Sequence, residues 1–176
     1  MSRIVLVTGG FDPLHSGHIA YFKAAKELGD KLVVGLNSDN WLKKKKGKPF
    51  MPFSERCAVV KELYCVDRVI GFDDTDGTAG QAIFYLQSTT GNKDTIIFAN
   101  GGDRTEGAVP EEKTYSDYKN VEFAYGVGGE DKKNSSSWIL EEWKAPKTIR
   151  NWGYYRNLYK GKGFMVKELV INPHSS

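Results

Sequence analysis

Ile4-Val5-Leu6-Val7 is an unbroken apolar run that stops at Gly9-Gly10, and it constrains the fold more than any other feature of the sequence. A strand with one face in water alternates apolar and polar residues, whereas an unbroken run belongs to a strand covered on both faces, as in a parallel sheet. The next residues supply a cover. Ile19, Phe22, Ala25 and Leu28 recur every third position over residues 18–28, so one helical face is apolar, and Gly29 follows as a C′ residue. Residues 32–36 form a second buried strand. Strand, helix and strand within about 35 residues make a βαβ unit, whose crossover is right-handed.

The alternation continues: a helix over residues 54–64, a strand over 68–72, a helix over 79–87, a strand over 95–99 and a fifth strand over 121–125. This order predicts an α/β domain, a Rossmann-like, doubly wound, five-stranded parallel sheet. Residues 100–120 are polar and lack a period, and read as an exposed loop with at most a short helix. A run from Asn134 to Ser137 leads into a helix near Trp138. Past Trp143 the pattern gives way to aromatic residues and lysines, so a main domain of residues 1–144 is followed by a C-terminal extension, 145–176. Residues 164–171 alternate as a half-exposed strand and end at Asn172-Pro173, like the opening of a β domain that is missing.

A chain that is 40% hydrophobic and 27% charged is a soluble globular one, and it holds no apolar run near the roughly 20 residues that span a bilayer. Ile4 to Val7 is too short for a secretory leader, so the protein is expected in the cytoplasm, away from membranes. Cys57 and Cys65 share roughly one face of a helix and read as core thiols, not a disulfide. None of the three histidines lies near a cysteine pair, so no metal-ligand spacing arises from side chains. The net charge of +3 is small, but Lys43, Lys44, Lys45, Lys46 and Lys48 concentrate positive charge locally.

The segment Gly9-Gly10-Phe11-Asp12-Pro13-Leu14-His15-Ser16-Gly17-His18 lies where open α/β sheets bind ligands, between the carboxyl end of the first strand and a helix N-terminus. Gly9 and Gly10 let backbone approach a phosphate, and the helix N-terminus favours an anion. His15 and His18 both point into that site if the helix begins between them. The dinucleotide fingerprint fails for want of a third glycine. A P-loop ending at Gly47-Lys48 fails at Leu42 and Pro49. At the carboxyl end of the second strand, Lys46 and then Lys45 are placed to reach a phosphate, with Lys43 and Lys44 in solvent on a basic loop. No aromatic residue interleaves that run to stack bases, which argues against a nucleic-acid partner.

The segment from Gly9 to His18 resembles the His-x-Gly-His signature of the nucleotidyltransferase superfamily. The similarity covers residues 3 to about 140 through Asn37-Ser38-Asp39, Lys46-Gly47, Glu55-Arg56, Val66-Asp67, Gly101-Gly102-Asp103 and Ser135-Ser136-Ser137. It is similar to the heptose-1-phosphate adenylyltransferase and glycerol-3-phosphate cytidylyltransferase branch. The resemblance implies transfer of a nucleotidyl group from ATP or CTP, with Mg²⁺, to a small phosphorylated acceptor, releasing pyrophosphate; it also implies a homodimer. It casts His15, His18 and Lys46 as catalytic. Gly9, Gly10, Phe11, Asp12, Lys45, Gly101, Gly102, Asp103 and Ser135 to Ser137 would bind the nucleotide, and the three serines would also cap their helix. Arg56 either holds a phosphate or pairs on a helix surface. An Arg-Thr-x-Gly segment of the cytidylyltransferase branch is replaced by Gly128-Gly129-Glu130-Asp131-Lys132-Lys133, which leaves Lys132 or Lys133 to take the arginine's place. The tail, from Pro146 to Gly153 and from Val166 to Pro173, resembles the entry strands of a cupin of the sugar-phosphate isomerase type. A nucleotide-binding regulatory module on the same fold is the alternative to an enzyme.

Overall fold

The structure, a computed structural model, describes residues 1–91, 93–102, 104–129 and 135–173. The chain falls into two compact units, Met1–Lys133 and Asn134–Ser176. The first contains β1 (Arg3–Gly9), α1 (Ser16–Lys26), β2 (Lys31–Leu36), α2 (Asp39–Lys46), α3 (Phe53–Lys61), β3 (Arg68–Gly71), α4 (Gly80–Thr90), β4 (Thr95–Gly101), α5 (Glu112–Tyr115) and β5 (Val121–Val127). Its five strands are parallel, in the order β3-β2-β1-β4-β5.

Successive residues of β1 enter opposite cores. Ile4 and Leu6 pack with Val33, Ile83, Phe98 and Val109, while Val5 and Val7 pack with Phe22, Ala25, Leu32 and Val34. Side chains alternate across a strand, so a run without polar interruption is what a sheet covered on both faces requires.

Three local features depart from the sequence expectations. The lysine run lies in a helix, α2, not a loop: the Ser38 hydroxyl accepts the Trp41 N–H at 3.1 Å at its start, and Gly47, at φ 85°, ends it. Lysines in a last turn face the negative end of the helix dipole, which favours them there. Helix α1 starts at Ser16 and ends at Lys26, leaving Leu28 exposed; Gly29 has no left-handed backbone and is small because a Cβ there would stand 2.6 Å from the Arg3 carbonyl oxygen. The loop after β4 holds the short α5 but is not simply exposed, since Val109 and Tyr115 are buried against the core.

The second unit contains α6 (Ser136–Lys144) and an antiparallel meander of β6 (Lys147–Arg150), β7 (Gly153–Gly161) and β8 (Phe164–Ile171). The expected boundary near Ala145 follows the change in composition, whereas the packing divides ahead of α6. Every residue of β8 is exposed, apolar ones included, so its alternation does not appear as one buried face. A sheet buries a face only against a second layer.

Candidate active site

In a sheet ordered 3-2-1-4-5, the chain runs outward from β1 to one side and from β4 to the other, and ligands bind at the carboxyl ends of that central pair. The β1–β4 register runs from Arg3–Thr95 to Leu6–Phe98, so the two Gly-Gly pairs singled out in the sequence lie at the carboxyl ends of adjacent strands.

His15 occupies the N-cap of α1 with extended backbone, and its carbonyl accepts the His18 N–H at 2.9 Å. One turn of helix brings the imidazoles face to face, with centroids 3.6 Å apart and 22° between planes. Phe11 closes the far side of His18, edge to face at 5.0 Å. Burial, then the charges of His15 and Lys46, push His18 down to about 3; burial and Lys46 lower His15 as well. Both imidazoles are neutral at pH 7. Their Nδ1 atoms are buried without a hydrogen-bond partner among the described residues. Buried polar atoms rarely lack partners, and two on one helical turn mark a place built for a ligand.

Other residues of the segment serve the scaffold. A Cβ on Gly9 would stand 2.8 Å from the Phe11 ring, and one on Gly10 would stand 2.8 Å from Leu42. These glycines are small because side chains lie against them, not only to admit a phosphate. Phe11, at φ 46°, sends its ring into the core against Phe22. The buried Asp12 carboxylate is likewise committed, accepting the N–H groups of Phe50 at 2.7 Å and Met51 at 2.8 Å.

The lysines diverge as residues on successive helical positions must. Lys46 donates from Nζ to the Asp12 carbonyl at 3.0 Å, which brings it to the histidine turn. Lys45 sits 4.4 Å above the Trp41 ring. Partial burial lowers both ammonium groups from the usual lysine value, with neighbouring positive charges adding to the effect. Arg56, expected at a phosphate or on a helix surface, is neither. Its side chain is 0% exposed and donates to the carbonyls of Gly10 (2.8 Å), Asn37 (3.0 Å) and Met51 (3.2 Å) and to Asp39 (2.7 Å). Asp39, despite some desolvation, is held below the usual carboxylate range by Arg56 and by the N–H of Phe53. Asp74, another residue not anticipated, accepts from Asn37 Nδ2 (3.0 Å) and from the backbone and hydroxyl of Ser38 (both 2.7 Å), fixing the end of β2.

At the end of β4, the Tyr21 hydroxyl donates to the Ala99 carbonyl at 2.6 Å, and burial raises its pKa. Gly101 is flush with that ring, where a Cβ would stand 2.9 Å away; Gly102, at φ 70°, faces open space. Gly101 thus makes room for Tyr21. Arg104, missed in the sequence, donates to Asn100 Oδ1 at 3.3 Å. Asp103, Lys132 and Lys133 lie outside the described residues. Ser135 takes the N-cap of α6 and Ser136 and Ser137 enter its first turn, but the Ser135 hydroxyl makes no capping bond, contrary to expectation.

A family model described as cytidylyltransferase-like matches residues 6–168. The bifunctional protein HldE of Pelobacter propionicus is 37% identical over 144 residues, which cover 80% of this chain and 28% of that protein. HldE of Helicobacter pylori is 47% identical over 74 residues, covering 41% and 16%. The chain thus spans less than a third of these relatives. A lipopolysaccharide core biosynthesis protein from Thermoplasma volcanium superposes with a TM-score of 0.55 at 28% identity, covering 71% of this chain and 96% of that one. The NadR protein in complex with NAD and AMP-PNP, at 17% identity and a TM-score of 0.54, shares the fold, over 82% of this chain and 43% of that one. The chain belongs to the cytidylyltransferase-like family.

Proposed function

We propose that this protein transfers AMP from ATP, or CMP from CTP, to a sugar phosphate or polyol phosphate and releases pyrophosphate. The observation that carries the reading is the stacked His15–His18 pair at the start of α1, with unpartnered Nδ1 atoms and Lys46 at the same turn. An acceptor phosphate oxygen attacks the α-phosphorus in line; the new P–O bond forms as the bond to the bridging oxygen breaks, and pyrophosphate departs with the electron pair. Such a reaction asks the protein to position two anions and stabilise charge spreading over phosphate oxygens. Neutral imidazoles donate hydrogen bonds, Lys46 supplies a fixed charge, and the first N–H groups of α1 add their dipole.

Among the described residues no cluster of three His, Cys, Asp or Glu side chains could hold a metal, and both Asp12 oxygens are taken by backbone. This donor set fits a Mg²⁺ ion that arrives on the triphosphate, where it neutralises phosphate charge. A sugar phosphate acceptor is supported by the likeness to a lipopolysaccharide core biosynthesis protein. No helix among the described residues is long and apolar enough to cross a membrane. The homodimer implied by the resemblance is open to sedimentation analysis.

Pyrophosphate release with Mg²⁺, assayed with ATP and CTP separately against a panel of sugar and polyol phosphates, tests the proposal. Release that requires one acceptor and is lost in His18→Ala supports it. Nucleotide binding with no release across the panel would replace it with the regulatory module.

A further inference from the structure

Tyr21 lies one turn beyond His18 on α1, so the two side chains leave the helix on roughly one face. Its hydroxyl donates to the Ala99 carbonyl at 2.6 Å, at the point where the β4–β5 register shifts, between Ala99 and Gly101. The ring fills space that glycines leave open at the ends of both strands. A Cβ on Gly101 would stand 2.9 Å from the ring, and one on Gly128, at φ 88°, would stand 3.1 Å from the Tyr21 Cα. One side chain thus ties the helix that carries the histidines to the segments leaving β4 and β5.

The histidine turn has few anchors of its own. Its N-cap, His15, makes no side-chain capping bond, and the Nδ1 atoms of both imidazoles lack partners among the described residues. Farther along α1, Phe22 and Ala25 pack with Val5, Val7, Leu32 and Val34. Apolar packing is non-directional, so it holds the helix on the sheet without fixing its position along its own axis. A hydrogen bond is directional and weakens steeply off its geometry. Among the described residues α1 makes side-chain hydrogen bonds from Tyr21 and from Lys26, and Lys26 stands at the far end, bound to Asp30 and Asp67. Measured along the helix axis, Tyr21 is about 4.5 Å from His18 and Lys26 about 12 Å.

We propose that Tyr21 is a positioning residue, whose bond to the Ala99 carbonyl sets where the His15–His18 turn stands relative to the segments that follow β4 and β5. What that setting serves rests on the transferase reading. Imidazoles and strand-end glycines act there on one bound nucleotide, and a misplacement of about 1 Å caused away from the chemistry can cost about 10²-fold in rate. Tyr21 acts through the histidines and needs no contact with the substrate.

Tyr21→Phe keeps the ring and its packing against Gly101 and removes only the hydroxyl. Ile83→Val, in the core on the other face of the sheet, is the control for a general loss of stability. Pyrophosphate release is measured on the full chain at a temperature well below every melting point. Tyr21→Phe should lower kcat by roughly ten-fold or more with KM for the nucleotide within about three-fold, while Ile83→Val keeps both within about two-fold. A kcat in Tyr21→Phe close to wild type, a change in KM alone, or an equal fall in Ile83→Val overturns the proposal. Ring-proton resonances of His15 and His18 in the nucleotide-free chain give a second reading that needs no turnover. They should move in Tyr21→Phe and stay in place in Ile83→Val; resonances unmoved by loss of the hydroxyl also overturn the proposal. If wild type releases no pyrophosphate, the transferase reading fails by itself, and the resonances decide whether Tyr21 positions the turn.

Discussion

Arg56 Nη1 donates to the Gly10 carbonyl at 2.8 Å from a side chain with no exposure to solvent. The same guanidinium holds the carbonyls of Asn37 and Met51 and the carboxylate of Asp39. One buried cation thus joins the turn after β1, the end of β2, the start of α2 and the segment before α3. Arg56→Ala would leave three carbonyls without their donor and the partly exposed Asp39 carboxylate without its cation, and is expected to cost about 3–5 kcal/mol, read from urea denaturation. Arg56→Lys should recover only part of this, since an ammonium lacks the planar fork that reaches all four acceptors. A loss below about 1 kcal/mol in Arg56→Ala would show that the network does not hold the site.

The histidines link folding to pH. The folded value for His18 is about 3, against about 6.5 in the unfolded chain. Between those values the unfolded state binds a proton that the folded state does not, so the neutral imidazole's contribution is complete above about pH 6.5 and is lost as pH falls towards 3. His15 acts in the same direction. Stability should therefore drop from pH 7 to pH 5, a range above the usual carboxylate titrations, and drop less in His18→Asn. Equal slopes in the two proteins would contradict the assigned burial.

A bound phosphate should reverse that preference, because an anion beside the imidazoles favours their charged forms. Triphosphate binding is expected to take up protons and to tighten as pH falls from 8 to 6. Calorimetry in buffers of different ionisation enthalpy measures the uptake; none at pH 6 would place the phosphates away from His15 and His18.

Gly9→Ala separates packing from phosphate approach. Its Cβ would stand 2.8 Å from Phe11, an overpacking that typically costs about 1–3 kcal/mol. If the ring is the obstacle, Phe11→Leu in the same chain should restore part of the thermal stability. No restoration would assign the cost elsewhere.

Lys46 forms its hydrogen bond from an exposed position, so Lys46→Gln should change stability by no more than about 1 kcal/mol. Loss of its charge should lower the rate of pyrophosphate release by about 10²-fold or more. A rate within a few-fold of wild type would remove Lys46 from the catalytic set.

The sheet could be read from the chain because a strand between two helical layers has no choice of face. Ile4 to Val7 and the run over β2 carry that constraint in adjacent residues, and the His-x-Gly-His turn is local for the same reason. Helix α2 could not be read this way. It buries only Leu42, so no apolar period announces it, and its signals were the Ser38 cap and Gly47 on either side of a lysine run.

The sequence by itself determined the alternation of elements, the glycine turn at the carboxyl end of β1 and the pairing of His15 with His18, all set by residues within one turn or one strand of each other. Tertiary structure alone decided what Arg56, Asp12 and Arg104 do. Arg56 binds carbonyls from three separated segments, Asp12 holds the backbone of residues 50 and 51, and Arg104 is tied to Asn100 at the end of β4. A side chain's chemistry is written in the sequence, but its burial and its partners arise when distant segments meet.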